Sequence, residues 1–116
     1  MAGEVMRDRL RAVQKMRAAA GLIREKGWTR GVLTDETGRM CILGALYASS
    51  TDDGVTVIEQ DSLRKILRRE CPVAGTWANP ISYWNDYVCQ NGEQACELLE
   101  RAAAELEGSD LPSRVP

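Results

Sequence analysis

The sequence predicts an α+β fold, mainly α, with about four helices and a short helical turn packed around one β-hairpin. Three observations predict it. Apolar residues recur at three- and four-residue steps through residues 4–26, again towards Arg69, and again between Asn91 and Gly108, the period of a helix with one buried face. Two short runs flank the acidic, glycine-ended turn Asp35-Glu36-Thr37-Gly38, which is a hairpin pattern. Finally, Cys41 to Ser49 is uncharged and apolar on most sides, as a central buried element should be.

The first helix, residues 4–26, places Met6, Leu10, Val13, Met16, Ala20 and Ile23 on one face. Gly27 is its left-handed stop, and Trp28 then lies where it can fold back on Ile23. The hairpin pairs Gly31-Val32-Leu33-Thr34 with Arg39-Met40-Cys41. Two short strands are marginal in water, so the hairpin must pack on helices. In the second helix, Cys41 to Ser49, the interior Gly44 costs about 1 kcal/mol against alanine and therefore needs a packing reason, most simply close approach of another backbone.

Ser49 to Gly54 superficially resembles a calcium loop, but Gln60 stands where the bidentate glutamate belongs, and that reading fails. Val55 to Ile58 is expected to be briefly extended. A third helix follows to about Arg69, with Leu63, Ile66 and Leu67 inward and Pro72 closing it. Val73 to Pro80 is irregular, and Ile81 to Val88 is a helical turn carrying Tyr83, Trp84 and Tyr87. Asn91 caps the last helix, with Gln94 completing a capping box, and its inner stripe is Leu98, Leu99, Ala102 and Leu106. Residues 1–108 thus form one globular domain, and 109–116, with two prolines and little bulk, a flexible tail.

Composition narrows the function. The 116 residues include no histidine, which removes the commonest general base and metal ligand. Four cysteines, Cys41, Cys71, Cys89 and Cys96, are irregularly spaced, without the Cys-x-x-Cys knuckle of a zinc site. Reduced, packed thiols are expected, with no metal and no cofactor. No apolar run approaches a membrane span and no export signal is present, so a cytoplasmic location is expected.

The net charge of −2 hides an asymmetry: residues 1–30 hold eight bases against three acids, and residues 72–116 two bases against seven acids. A basic helix lying beside an acidic one accounts for this better than a nucleic-acid surface, since the chain as a whole is acidic.

Taken in order, Gly27-Trp28, then Cys41-Ile42-Leu43-Gly44-Ala45-Leu46, then Trp84-Asn85-Asp86 before an alanine-rich last helix resemble one family. These are the small actinobacterial and actinobacteriophage proteins grouped as domain of unknown function 6197. Their motifs read Gly-Trp, Cys-Ala-Leu-Gly-Ala-Leu and Trp-Asn-Asp. The resemblance covers about residues 8–106. Ile42 departs from the usual alanine, and Gln90-Asn91-Gly92 replaces the usual Arg-Thr. The resemblance implies an origin and a fold type rather than a reaction.

Cys41, at a strand-to-helix junction, and Asp86, in an aromatic setting, are the only enzyme candidates. A helix N-terminus lowers a thiol pKa, but a cysteine nucleophile also needs a base, and no histidine can serve. Asp86 is better explained as the partner of Arg17 or Arg24, two arginines within the apolar arc of the first helix. Trp28, Gly44, Trp84 and Asn85 are expected to be structural.

The sequence therefore favours a non-enzymatic binding protein acting on a host or phage protein. The basic stripe Arg7, Arg11 and Lys15 and the aromatic turn at Tyr83 and Tyr87 are its candidate surfaces. A nucleic-acid-associated accessory protein and a small enzyme are the alternatives.

Overall fold

The computed structural model describes residues 2–50 and 57–108. Its helices are α1 (Ala2–Lys26), α2 (Ile42–Ser49), α3 (Val57–Glu70), α4 (Pro80–Tyr83) and α5 (Gly92–Gly108). A 3₁₀ turn, Pro72–Thr76, precedes α4, and a π-type turn, Trp84–Val88, follows it. The fold is all-α, not α+β.

α1 and α5 run antiparallel and make the main seam, since Arg17 meets Glu107 near one end while Arg24 meets Glu93 and Glu100 near the other. Val13, Met16, Ala20 and Ile23 of α1 pack with Cys96, Leu99 and Ala102 of α5, and Ile42 and Leu46 of α2 and Leu63 and Ile66 of α3 complete the core. Each fully buried large side chain contributes about 1.5–3 kcal/mol. The small residues of the seam let the two helices approach closely enough for the Cys96 thiol to donate to the Ala20 carbonyl oxygen at 3.3 Å.

Met6 and Leu10 do not join this core: they are 51% and 47% exposed, because the core-facing stripe of α1 begins only at Ala12. Periodicity alone cannot show where the neighbouring helices stop.

The expected hairpin is not present. Between Gly27 and Cys41 there are only two isolated bridges, Trp28 with Met40 in parallel and Thr34 with Met40 in antiparallel sense. The acid-rich turn does form. Asp35 Oδ1 accepts from the backbone N–H and hydroxyl of Thr37 and from the Arg39 N–H, and Oδ2 accepts from Arg39 Nε at 2.7 Å. Partial burial works against ionisation of Asp35, but these donors win and hold it at about 2. No strand propagates from the turn because much of the adjoining backbone is engaged elsewhere. Leu33 turns its carbonyl to Cys41 N, Met40 N donates to Gly27 O, and Gly31 N donates to the Asp86 side chain. Of these, only the Cys41–Leu33 bond is a cross-strand rung, at the Thr34–Met40 bridge, whereas the Met40 and Gly31 amides are spent outside the pair and the ladder goes no further.

Gly27 ends α1 at φ 102°, as expected, with its N–H on Ile23 O at 2.8 Å. Val57 and Ile58, expected to be extended, are the first residues of α3. Residues 51–56, which include most of the rejected calcium loop, and the expected tail at 109–116 lie outside the described residues.

At the start of α5 the capping box forms with one shift. Gln94 N donates to Asn91 Oδ1 as expected, but Gln94 Oε1 accepts from Gln90 N, one residue earlier than the standard box.

Among the described residues, no helix is long and apolar enough to cross a membrane.

Candidate functional site

The segment from Asn79 to Val88 carries the site. Asn79 caps α4, its side chain accepting from Ser82 N at 3.1 Å, and Pro80 occupies the first helical position, where a missing N–H does no harm. The helix then widens. Cys89 N donates to Trp84 O at 2.8 Å, a five-residue step. With more than four residues per turn, side chains four apart fall nearly in line, and π turns of this kind recur at functional sites.

Ile81 and Asn85 point inward and are buried. On the opposite side, Tyr83 and Tyr87 stand in register. On one flank Ser82 and Asp86 line a small cavity, and on the other Trp84 and Val88 line a broad groove.

Asn85 is the hub. Its Oδ1 accepts from Trp28 Nε1 at 2.8 Å and from Ile42 N at 3.1 Å, while its Nδ2 donates to Thr29 O at 3.2 Å and to Asp86 Oδ1 at 2.9 Å. Both lone pairs and both protons of one buried amide are thereby used. Asp86 Oδ1 also accepts from Gly31 N at 2.9 Å. Gly44 explains itself at the same junction: a Cβ there would lie 1.9 Å from the Leu33 carbonyl oxygen, so the close backbone approach expected from sequence is real. The three separated motifs are thus one structure, in which Trp84-Asn85-Asp86 ties the loop after Gly27-Trp28 to the start of α2.

Outside the hub, Tyr83, Tyr87 and Trp77 form an exposed aromatic ridge. Trp77 stacks on Tyr83 with centroids 4.7 Å apart, and Tyr83 meets Tyr87 at 5.1 Å. Trp77 is 53% and Tyr87 73% exposed. Sequence reasoning missed Trp77, which lies in an aperiodic stretch. A tryptophan with no helical stripe to join was the available signal.

The cavity beside the ridge has a volume of about 140 Å³ and is lined by Gly31–Leu33, Cys41, Leu43, Ile81, Ser82, Asn85 and Asp86. The groove on the far side, about 720 Å³, is floored by Leu67, Trp84, Val88 and Leu98 and rimmed by Glu70, Glu97, Glu100 and Arg101.

A family profile matches residues 7–105, and its description is "Family of unknown function (DUF6197)". The chain belongs to that family. No curated protein and no solved structure matches it significantly. In this member of the family, the ordered motifs that suggested the resemblance meet at Asn85.

Several expected roles change. Asp86 does not pair with Arg17 or Arg24. Those arginines face α5 instead, Arg17 on Glu107 at 2.8 Å and Arg24 on Glu93 at 2.8 Å and Glu100 at 2.5 Å. They stand at the edge of the apolar arc, where a long side chain can cross to the acidic flank of the neighbouring helix. The basic N-terminal and acidic C-terminal helices do therefore neutralise each other. Arg69 with Glu105, and Arg101 with Glu70, extend the pattern to α3.

The basic stripe is shorter than expected. Arg7 and Arg11 are exposed, but Lys15 turns inward to the buried Glu59, with Nζ 3.6 Å from the carboxylate and only 11% of its side chain exposed. Glu59 sits in the first turn of α3, where the helix dipole also favours its charge.

Cys41 is the N-cap of α2, its Sγ accepting from Gly44 N at 3.3 Å. Burial pushes its thiol up, and nearby Asp86 adds to the shift, so the helix N-terminus does not yield a thiolate. Cys89 and Cys96 are also raised by burial. The four cysteines carry no disulfide. Among the described residues, no three acids or cysteines gather in a way that could hold a metal ion.

Proposed function

We propose that this chain is a non-enzymatic module that binds another protein, and that the aromatic ridge is its contact surface. The observation that carries the reading is three rings, two of them more than half exposed, held against one another. Exposed tryptophan and tyrosine are the usual anchors of protein interfaces, and rings already stacked lose little freedom on binding. Residues 72–90 contribute one charge, the carboxylate of Asp86, which disfavours a phosphate backbone and so argues for protein over nucleic acid. The raised Cys41 thiol argues against the enzymatic alternative. Arg7 and Arg11 remain as a secondary surface. The resemblance to small actinobacterial and phage proteins supports a bacterial cytoplasm as the setting and a host or phage protein as the partner.

Affinity capture from an actinobacterial lysate tests this. The wild type should recover a protein, and Trp77→Ala with Tyr87→Ala should weaken recovery by roughly thirtyfold in Kd or more, the effect of losing one strong anchor. Capture undiminished by the double variant, or salt-sensitive recovery of nucleic acid alone, would overturn the reading.

A further inference from the structure

The cavity beside the ridge is too small for a whole ligand: about 140 Å³ against the roughly 300–1,000 Å³ of small-molecule pockets. It has room for the end of one side chain. Its walls define the chemistry of that end. Val32, Leu33, Leu43 and Ile81 offer apolar surface, Ser82 supplies a hydroxyl, and Asp86 supplies a carboxylate. Asp86 Oδ1 is occupied by Gly31 N and Asn85 Nδ2, whereas Oδ2 accepts no hydrogen bond among the described residues. The carboxylate is partly covered, and the base closest along the chain to its Gly31 contact, Arg30, is committed elsewhere, donating to the Cys89 carbonyl oxygen at 2.6 Å and lying over the Trp28 ring, so that Asp86 has no ion pair among the described residues. In the larger groove Glu70 is paired with Arg101 and Glu100 with Arg24, while Glu97 stands exposed to water rather than in a notch.

The four-residue register adds the second element. Ser82 and Asp86 line the cavity, and their neighbours along the chain, Tyr83 and Tyr87, form the ridge. A carboxylate in an apolar-walled notch complements an alkylammonium ion, through charge at the tip and apolar walls along the alkyl stem. One accepting oxygen suits a compact ammonium better than the two-pronged guanidinium.

We propose that notch and ridge together form a receptor for a lysine side chain of a basic partner segment. The ammonium enters beside Asp86, and the segment bearing it lies across Tyr83 and Tyr87. This rests on the ridge being a protein-binding surface and names the chemistry of the partner.

The test uses defined probes. Titration of the ¹⁵N-labelled chain with N-acetyl-lysinamide should shift the amides of Gly31, Ser82 and Asp86 and saturate with a Kd of about 1–10 mM, as expected for so small a fragment. N-acetyl-norleucinamide, of similar length but uncharged, should bind at least about tenfold more weakly, because it forms no charge-assisted hydrogen bond. Asp86→Asn keeps an oxygen for Gly31 N and should lose the preference for the lysine probe. Ser82→Leu fills the notch with the carboxylate intact and should lose it as well. Equal binding of the two probes, no localised shifts, or an undiminished lysine preference in a folded Ser82→Leu variant would overturn the proposal. If the wild type captures a protein through the ridge while lysinamide leaves these amides unmoved, the binding reading stands and the lysine receptor falls.

Discussion

The α1–α5 seam and the Asn85 junction are held by opposite means. The seam buries a repetitive apolar stripe and covers it with exposed ion pairs, so its stability is spread over many residues, and apolar side chains of like volume can replace one another there at modest cost. The junction buries few atoms but gives each polar one a named partner, so its stability is concentrated in single groups. The difference teaches where this fold is tolerant and where it is brittle.

The most severe test is Gly44→Ala. With a Cβ 1.9 Å from a carbonyl oxygen, neither helix nor loop can stay in place, and a loss of at least about 3 kcal/mol is expected, read by denaturant titration. Asn85→Ala comes next. It strands the Trp28 indole N–H, the Ile42 amide and the Thr29 carbonyl, and should lower stability by about 2–3 kcal/mol. A change under about 1 kcal/mol would show that water replaces the amide and that the junction is no keystone.

Alkaline pH probes both regions together, since Cys41 and Cys89 flank the junction and Cys96 lies in the seam. Burial raises all three thiols, so above their ordinary value of 9.0 the unfolded chain loses protons that the folded chain retains. Unfolding then becomes easier as pH rises. The melting temperature should hold below that value and fall as pH climbs through the raised thiol pKa values, less so in a Cys41→Ala, Cys89→Ala, Cys96→Ala variant compared with its own neutral-pH value.

Arg24→Ala should move the melting temperature far less than Asn85→Ala, because its carboxylate partners remain in water. Smallest of all is the effect expected of Trp77→Ala with Tyr87→Ala, which should leave the melting temperature nearly unchanged while removing partner capture. A large drop would make the ridge part of the scaffold.

The same contrast governs what the sequence revealed. The seam was legible because burial repeats with the helical period: Val13, Met16, Ala20 and Ile23 announced themselves, as did the stripe of α5. Met6 and Leu10 obeyed the period too and were misplaced, since period reports a face and not the length of what covers it. At the junction, chemistry without period was only half legible. Gly44 demanded a close neighbour and has one, but nothing local could say that Asn85 would bind the backbone on either side of the expected hairpin, or that Asp86 would serve Gly31 rather than an arginine. Those choices are made by residues 43 to 57 positions apart, whose encounter leaves no local pattern.

The widened turn at Trp84–Val88 carries a consequence for how the protein can change over generations. A π turn is what a helix becomes when it accommodates one additional residue, and its register here sorts neighbours onto separate duties. Positions 81 and 85 answer to the interior, while 83 and 87 answer to each other, to Trp77 and to whatever lies outside. Substitutions at the outer pair leave the inner pair undisturbed. A lineage can therefore retune its recognition surface ring by ring, without renegotiating the scaffold that holds it up.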